Sequence, residues 1–386
     1  MSRGPNASEG GAAPGRGIAT NPPGRFERRT VVPFEGAFPS PCTQVAEDHA
    51  RSIVTRNGSP DVAAELTLNP YRGCEHGCVY CYARPGHEYL GLSAGLDFET
   101  RIFVKLGAAA LLRCRLASPG WRPRTLLLSG VTDPYQPVER HLRVTRSVLE
   151  VLVACRHPVA VITKSAMVER DAELLGELAG HGAAAVVLSL TTLDPGLARS
   201  LEPRAAAPAR RLRTIEALSS LGIPVGVSVA PLVPGLTEEE IPRLLAAAGD
   251  AGARWAGWAL LRLPHGVAGL FEDWLDRRMP ERKDRILGRL RALHGGRLYD
   301  ATFGARMRGT GPWARLIADF FELSARRHGL ALAPPGLSTD CFRPPPDGQL
   351  ALPLPPPSHR SRAAPQVRRR RPRFGECMLR GSPSNA

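Results

Sequence analysis

The stretch "NPYRGCEHGCVYCYARPG", residues 69–86, places Cys74, Cys78 and Cys81 in the spacing Cys-x3-Cys-x2-Cys. Gly73 and Gly77 permit the tight backbone bends that a short loop needs. With such bends, three thiolates can point at one centre. We therefore expect a metal site here, on the loop that leaves the first strand of the core.

Two kinds of metal site are compatible with three thiols. A structural zinc site requires a fourth ligand, and His76 within the loop or His87 just after it would complete a site of three cysteines and one histidine. An iron–sulfur cube held by three protein thiolates differs, because it leaves one iron without a protein ligand. Such an open position is where a metal site takes up a substrate or cofactor.

The other features of composition indicate a cytoplasmic protein. The chain has eight cysteines, and in a reducing compartment a tight cluster is more typical of a metal site than of a disulfide framework. No apolar stretch is long enough to span a bilayer, and the N-terminus shows no apolar segment of the signal-peptide kind.

The charge of the chain favours an acidic partner such as nucleic acid. The net charge is +15, and from Arg343 onward nine arginines stand against Asp347 and Glu376. A run such as "RRRRPR" (368–373) is typical of a solvated tail, so much of the charge lies outside the predicted core. Nucleic-acid binding by the tail is a hypothesis that the charge alone does not decide.

The pattern along the chain predicts an α/β core between two disordered ends. Residues 1–60 are rich in Gly, Pro and Ser, and 333–386 form a Pro- and Arg-rich basic tail, so both are expected to be largely disordered. The core is predicted at 61–267, followed by a helical extension at 268–332.

Within the core, short apolar runs alternate with amphipathic helical stretches, as in βα units. Six strands are predicted: "ELTLN" (65–69), "TLLLSG" (125–130), "VAVITK" (159–164), "AVVLSL" (185–190), "VGVSVA" (225–230) and "AGWALL" (256–261). Six parallel strands form either a doubly wound sheet or a partial barrel, and the pattern leaves both open. In both, ligands bind at the carboxyl ends of the strands, and no GxGxxG indicates a dinucleotide.

The Cys-x3-Cys-x2-Cys loop after the first strand resembles the motif of the radical S-adenosylmethionine superfamily. Further stretches, among them "SGVTDPYQPVER" (129–140) and "GIPVGVSVAPLVPGL" (222–236), resemble its branch related to spore photoproduct lyase, the bacterial DNA-repair-photolyase-like proteins, over residues 50–330. The resemblance implies a partial (β/α)6 TIM-like barrel. It also implies a [4Fe-4S] cluster on Cys74, Cys78 and Cys81, whose open iron chelates S-adenosylmethionine, and reductive cleavage of that cofactor to a 5′-deoxyadenosyl radical.

Residues after the later strands are the candidates for binding the cofactor. Thr132 and Asp133 offer a hydroxyl and a carboxylate for a ribose or amino group, although Asp133 equally suits a turn. Lys164 ends an apolar strand, where it requires an anionic partner, and the resemblance makes that partner the carboxylate of S-adenosylmethionine. The resemblance adds Ser189, for which a capping or ladder role is an alternative. Arg204 suits a carboxylate or phosphate at a helix start.

Tyr80 and Tyr82 flank the third cysteine of the motif. In the lyase, tyrosines at these places are implicated in radical transfer to a hydrogen-donating cysteine, and the matching position in this chain is Gly130. The lyase reaction is therefore not expected unless Cys341 or another scattered cysteine takes that role. Packing around the loop is the alternative for both tyrosines.

Two classes of function follow from these patterns. The first is a radical S-adenosylmethionine enzyme that abstracts hydrogen from a nucleic-acid base, a peptide or a small metabolite, with nucleic acid slightly favoured and with DNA repair or modification as the context. The resemblance implies an electron donor such as a flavodoxin or a ferredoxin. The second is a non-catalytic protein in which a metal centre orders a loop and the basic tail binds nucleic acid.

Overall fold

A computed structural model of the chain describes residues 15–26, 42–62 and 64–345, and in these ranges helices and strands alternate as the sequence predicts. The strands are β1 (Gln44–Glu47), β2 (Val54–Arg56), β3 (Leu66–Leu68), β4 (Tyr71–Arg72), β5 (Arg101–Val104), β6 (Leu126–Leu128), β7 (Val159–Thr163), β8 (Ala184–Ser189), β9 (Val225–Leu232) and β10 (Trp255–Leu260). The α-helices are α1 (Asp97–Thr100), α2 (Ala108–Ala117), α3 (Glu139–Leu142), α4 (Val144–Ala154), α5 (Ala172–Gly180), α6 (Pro195–Leu201), α7 (Pro208–Ser220), α8 (Ile241–Asp250), α9 (Val267–Arg278), α10 (Pro280–Leu293), α11 (Ala305–Arg308) and α12 (Gly311–Arg327). Short 3-10 helices cover Arg84–Leu90, Ala166–Asp171 and Glu238–Glu240.

The order of the strands decides the architecture that the sequence left open. The main sheet has seven strands in the order β10-β9-β8-β7-β6-β3-β2. Strands β3 and β6 to β10 are parallel to one another, and β2 is antiparallel to β3. The parallel strands follow one another strictly in chain order. A doubly wound sheet reverses its order at a switch point. The fold is therefore a partial (β/α)6 barrel, and all six predicted strands are confirmed.

The apolar runs of the sequence form strands whose side chains are buried. In β7, Val159 and Val161 are fully buried, and in β8, Val186 and Leu188 are as well. Neighbouring helices α2, α4 and α5 contact one another along the chain, as α7 contacts α8. β-branched residues buried in this way are typical of parallel strands that are covered by helices.

The helices after β10 build a second core against the loop that carries the cysteines. Phe271 and Trp274 of α9, whose rings stack with their centroids 5.4 Å apart, share this core with Val79 and Tyr80. The predicted helical extension thus helps to hold the loop. Within the described ranges, no helix has both the length and the apolarity needed to cross a membrane.

A polar contact links the two edges of the partial barrel. Strands β2 and β10 are the outer strands of the main sheet. Arg306 of α11, which contacts β10, pairs with Asp61 beyond β2 at 2.5 Å, and the Gly304 N–H donates to the same carboxylate at 2.6 Å. The segment around α11 therefore spans the gap between the edges.

Residues 15–26, here called the N-terminal segment, pack on the body of the protein. Ile18 is fully buried and Arg16 nearly so, and the Arg16 guanidinium donates to the Glu99 carbonyl at 2.9 Å. Residues 42–60 contribute β2 to the main sheet and β1 to a second, three-stranded sheet in the order β1-β5-β4. The expectation of disorder for residues 1–60 is wrong for these two ranges, because specific backbone contacts replace the missing apolar periodicity.

The beginning of the predicted tail is also packed. The Arg343 N–H donates to the Cys155 carbonyl at 2.9 Å, and the Phe342 ring meets His157 edge-on. The prediction of disorder for 333–386 is therefore wrong for residues 333–345. The rest of the predicted disorder concerns residues that the structure does not describe, namely 1–14, 27–41 and 346–386.

The docking of the N-terminal segment can be tested at Gly17. A Cβ at this residue would lie 1.8 Å from the Gly77 carbonyl oxygen, so Gly17→Ala should displace the segment. We expect trypsin to cleave after Arg16 about tenfold faster or more, because local opening exposes the bond and tenfold corresponds to about 1.4 kcal/mol. Mass spectrometry of timed digests measures the rate.

Gly58→Ala is the matched control, since a Cβ at Gly58 meets no atom within 4 Å. It should leave the cleavage rate after Arg16 unchanged. Equal cleavage of the Gly17→Ala variant and the wild type would show that the segment does not dock as described.

Candidate functional site

The three cysteines lie on residues 73–82, here called the cysteine loop, which follows β3 and β4 at the carboxyl ends of the parallel strands. Gly73 and Gly77 both have positive φ, at +78° and +67°. A Cβ at Gly73 would lie 2.9 Å from His87 Cε1, and one at Gly77 would lie 2.7 Å from a Glu99 carboxylate oxygen. Only glycine meets both requirements, as the sequence predicted for the bends of this loop.

A buried ion pair holds one side of the cysteine loop. The Arg84 guanidinium donates to the Cys78 carbonyl from Nε at 3.0 Å and from Nη2 at 2.8 Å, and it pairs with Glu99 at 2.5 Å. Both side chains are fully buried. The Glu99 carboxylate also accepts the N–H groups of Gly17 and Ile18 at 3.0 and 3.1 Å. The loop and the N-terminal segment are thus joined through one carboxylate.

Backbone hydrogen bonds hold the other side of the loop. The Val79 N–H donates to the Leu201 carbonyl at 3.0 Å, and the Arg204 N–H donates to the His76 carbonyl at 3.2 Å. These two bonds flank Glu202 in the sequence. They place the connection between α6 and α7 directly beside the cysteines.

The thiols of the loop form no disulfides and are largely buried. Cys74 and Cys78 are buried, Cys81 is partly buried, and all three are free of disulfides. Burial raises the pKa of each thiol above its ordinary value. A thiol must lose its proton to bind a metal, so a cationic centre is what would favour three thiolates here.

The donor set fits an iron–sulfur cluster held by three thiolates. The backbone of Asp133 beside Cys74 and the backbone of Ala83 beside Cys81 each lower the pKa of the neighbouring thiol against the effect of burial. Backbone N–H donors stabilise thiolate ligands and adjust the potential of iron–sulfur centres. The thiols and the backbone groups beside them are therefore of the kind that would hold such a cluster.

The zinc alternative finds no ligand set in this geometry. His76 Nδ1 lies 3.3 Å from Asp133 Oδ2, while His87 Nε2 is 2.9 Å from the Arg101 carbonyl oxygen and its ring meets Phe98 edge-on. In the part of the chain that the structure describes, no three His, Cys, Asp or Glu side chains converge as a single ion requires. Both histidines are instead held by protein groups.

Asp133 organises the loop after β6. Its Oδ1 accepts the Tyr135 N–H at 2.9 Å and the Thr163 hydroxyl at 2.7 Å, and its Oδ2 accepts the Lys164 N–H at 2.8 Å. Burial opposes ionisation, but the His76 ring and these donors outweigh it and hold the pKa of Asp133 below its ordinary value. The turn that the sequence offered as an alternative is present, and the carboxylate also ties the ends of β6 and β7 together.

The structure places the other candidate residues at the same edge of the sheet, and they differ in how far protein groups already occupy their polar atoms. The buried Thr132 hydroxyl donates to the Tyr71 carbonyl at 3.3 Å. Arg204 pairs with Glu75 at 3.0 Å and keeps about a third of its side chain exposed. Ser189 is buried at the end of β8, and its carbonyl accepts Arg211 Nη1 at 2.8 Å, whereas its hydroxyl has no partner among the described residues. Ser189 therefore has hydrogen-bonding capacity to offer a ligand.

A buried cluster surrounds Glu202, and we call its five members, Tyr80, Lys164, Thr191, Glu202 and Arg211, the Glu202 network. The carboxylate accepts the Thr191 hydroxyl at 2.6 Å and the Lys164 ammonium at 3.0 Å, and it also contacts the Tyr80 phenol and the Arg211 guanidinium. Burial opposes ionisation, but Arg211 and Lys164 outweigh it and hold the pKa of Glu202 well below its ordinary value. Glu202 is therefore a buried anion.

This network supplies the anionic partner that Lys164 was predicted to need. The ammonium also donates to the Ala230 carbonyl at 3.1 Å and to Thr191 Oγ1 at 3.4 Å. Sequence reasoning assigned no role to Glu202, Arg211 or Thr191. The only signal was an acid set among arginines in "SLEPRAAAPARR", which is equally typical of a solvated helix face.

The two tyrosines of the loop have different surroundings. The Tyr80 phenol is buried and donates to Glu202. Tyr82 is 42% exposed, its phenol donates to the Gly130 carbonyl, and the Arg262 guanidinium lies 4.3 Å from its ring centroid. Tyr82 thus touches the position at which the resemblance puts the lyase's cysteine.

Cys341 does not lie near this position. Its neighbours Phe342 and Arg343 contact His157 and Cys155, which precede β7 and therefore lie at the amino ends of the strands. Gly130 and the cysteine loop lie at the carboxyl ends. The alternative in which Cys341 replaces the missing thiol is wrong for this reason.

The structural role of Asp133 can be tested by Asp133→Asn. Loss of a buried, ionised acceptor should lower the free energy of unfolding at pH 7 by about 3 kcal/mol. Since the pKa of Asp133 is depressed in the folded protein, its contribution is complete above the unfolded pKa of about 3.9 and is lost as the pH falls through the folded value. The difference between variant and wild type should therefore shrink below about pH 4 in urea unfolding at a series of pH values.

Asp273→Asn is the control, because Asp273 forms a partly exposed pair with Arg277 one turn away. It should change the free energy of unfolding by less than about 1 kcal/mol. A loss at Asp133 no larger than that at Asp273 would contradict its role as the link between β6 and β7.

Comparisons with known proteins agree with this geometry. Residues 68–248 match the model of the Radical SAM superfamily. An uncharacterized protein of Mycobacterium tuberculosis (strain ATCC 25618 / H37Rv) is 38% identical over 243 residues, which are 62% of this chain and 70% of that protein. An uncharacterized protein of Methanocaldococcus jannaschii is 25% identical over 177 residues, which are 46% of this chain and 64% of that protein.

Solved structures share the fold. Spore photoproduct lyase complexed with dinucleoside spore photoproduct superposes with a TM-score of 0.52 at 16% identity, covering 75% of this chain and 81% of that one. A mutant of the same lyase with bound AdoMet and dinucleoside spore photoproduct gives a TM-score of 0.53 at 16% identity, covering 75% and 80%. The family consists of enzymes that use S-adenosylmethionine and an iron–sulfur cluster. With its cysteine loop at the carboxyl end of a partial barrel, this chain belongs to the radical S-adenosylmethionine superfamily.

Proposed function

We propose that this enzyme holds a [4Fe-4S] cluster on Cys74, Cys78 and Cys81 and uses it to cleave S-adenosylmethionine reductively. The observation that carries the proposal is the set of three free thiols on one loop, fixed from both sides by buried contacts. Three thiolates leave one iron of a cube open for a cofactor.

When bound, the cluster supplies the electron that splits S-adenosylmethionine into methionine and a 5′-deoxyadenosyl radical, which abstracts hydrogen from the substrate. The chain's own residues hold, orient and shield this chemistry. The cysteine loop would supply the thiolates, and Val79 and Tyr80 pack with α9 and α10 to exclude water from one side.

The cofactor would contact residues at the neighbouring strand ends. We include Thr132, Asp133, Lys164, Ser189 and Arg204 in this set. Ser189 has a free hydroxyl to offer, and Arg204 has an exposed portion, which supports direct contact by both. Asp133 and Lys164 are engaged by protein groups, so their contribution would be to fix the positions of the backbone and the charge around the cofactor.

We propose a nucleic-acid base as the substrate, bound beside the exposed ring of Tyr82. Arg262 lies over the exposed Tyr82 ring and Arg306 over the exposed Phe303 ring, at 4.3 and 4.5 Å from their centroids. Arg262 also contacts Met307, next to Arg306, at 3.6 Å. Aromatic rings and arginines side by side are what stacking of bases and binding of phosphates require. Tyr80 and Tyr82 are the proposed catalytic tyrosines.

The reaction requires an electron donor, for which we propose a flavodoxin or a ferredoxin. We further propose that the enzyme acts in the cytoplasm, in DNA repair or modification. The three thiols of the cysteine loop, together with Cys114, Cys155 and Cys341, are free of disulfides, as a reducing compartment would favour.

The proposed reaction predicts release of 5′-deoxyadenosine. The protein is reconstituted anaerobically with iron and sulfide, and dithionite and S-adenosylmethionine are added. We expect the wild type to release the nucleoside and Cys78→Ala to reduce it to background, because one thiolate of the set is lost. Cys114→Ala, at an exposed position of α2, is the control and should retain the wild-type rate. Absence of the nucleoside from the wild type, with zinc bound instead of iron, would overturn the proposal.

The proposed substrate class predicts that Tyr82 contributes to binding of single-stranded DNA. Tyr82→Ala should weaken the affinity for a short oligonucleotide by about 5- to 150-fold, since a base stacked on an aromatic ring contributes roughly 1–3 kcal/mol. Fluorescence anisotropy at fixed salt measures the affinity. Tyr89→Ala is the control, because Tyr89 is also exposed but lies on the 3-10 helix after the cysteine loop and packs on Phe26. Equal effects of the two variants would contradict base stacking at Tyr82.

A further inference from the structure

The Glu202 network carries an unbalanced charge inside the protein. Glu202 contributes one negative charge, while Lys164 and Arg211 contribute one positive charge each. The side chains of Glu202 and Arg211 are almost completely buried, and that of Lys164 is 14% exposed. Buried charges interact strongly because little water screens them. The network therefore presents one surplus positive charge to its surroundings.

This charge lies next to the cysteine loop. The hydrogen bonds from Val79 to Leu201 and from Arg204 to His76 attach the backbone on either side of Glu202 to the loop. The Tyr80 phenol, two residues beyond Cys78, donates to the Glu202 carboxylate, and the Lys164 ammonium lies 5.8 Å from the Tyr80 ring centroid. The network and the loop thus form one connected unit.

We propose that the Glu202 network sets the reduction potential of the iron–sulfur centre on the cysteine loop, with Glu202 lowering that potential and Lys164 raising it. This inference rests on the proposed function, because it requires the centre to be present. A positive charge nearby favours the more negative, reduced state of such a centre, and a negative charge opposes it. Glu202 acts as a positioning residue, since it fixes Tyr80, Lys164 and Arg211 around Cys78 without being one of the ligands.

The contacts explain why a carboxylate is needed at this position. Without Glu202, two buried cations would face each other with no counter-ion, and an uncompensated buried charge is strongly destabilising. With Glu202 present, Lys164 and Arg211 are held in place, and the three groups together carry one net positive charge. The network thus combines structural support with a defined electrostatic field at the loop.

A cycle of charge-removing variants tests the proposal. The wild type, Glu202→Gln, Lys164→Met and the double variant are reconstituted, and the potential of the centre is measured without S-adenosylmethionine by titration followed by electron paramagnetic resonance. Glu202→Gln should shift the potential upward and Lys164→Met downward. Each shift should change the ratio of reduced to oxidised centre at a fixed poise by about tenfold, or ~59 mV for one electron. The double variant, whose net charge equals that of the wild type, should lie close to the wild type.

Opposite shifts that cancel are not expected from a merely structural role, which would move the potential in one direction or not at all. If Glu202→Gln does not fold, Lys164→Met and Lys164→Arg provide the test, since only the first removes charge and only the first should shift the potential. Glu169→Gln is the matched control: Glu169 pairs with Arg210 at 2.6 Å, next to Arg211, but this pair is partly exposed. It should leave the potential unchanged.

The outcomes separate this inference from the function on which it rests. Shifts in the same direction, or shifts no larger than that of Glu169→Gln, would overturn the inference while the centre and the nucleoside release remain. A wild type that assembles no iron–sulfur centre would overturn both.

Discussion

The carbonyl of Cys78 accepts two hydrogen bonds from the buried Arg84 guanidinium, and the position of the cysteine loop depends on this contact. Arg84 is fully buried, so it requires an anion, and Glu99 supplies one at 2.5 Å. Because Glu99 also accepts the N–H groups of Gly17 and Ile18, the same carboxylate orders the N-terminal segment. One ion pair thus connects three parts of the chain that are distant in sequence.

The cysteine loop lies between two buried carboxylates of different character. Glu99 meets one guanidinium and backbone N–H groups, so its charge is matched. Glu202 meets two cations and two hydroxyl groups, so its surroundings keep a positive surplus. Burial and Glu202 raise the pKa of the Cys78 thiol, whereas Lys164 and Arg211 lower it. The Arg84–Glu99 pair therefore holds one side of the loop in position, and the charges of the Glu202 network act on the other side.

Gly130 occupies the position at which the resemblance to the lyase would put a cysteine. Its φ of +120° is a conformation that residues with side chains rarely adopt, although a Cβ there would meet no atom closer than 3.8 Å. The Tyr82 phenol contacts the carbonyl of this residue. Tyr82 thus contacts the end of β6 at a position whose backbone conformation suits glycine and which offers no thiol.

The sequence by itself determined the strands, the cysteine loop and the polar residues at the strand ends, because local patterns of burial and spacing govern them. It predicted that Lys164 needs an anion, for which it offered the cofactor's carboxylate, and that Gly73 and Gly77 allow bends; in the structure Lys164 meets Glu202, and both glycines have positive φ. Only the tertiary structure decided that this anion is Glu202, that Asp133 joins β6 to β7, and that residues 15–26 are ordered. Partners of a buried charge come from segments far apart in the chain, and no local periodicity records which of them will meet.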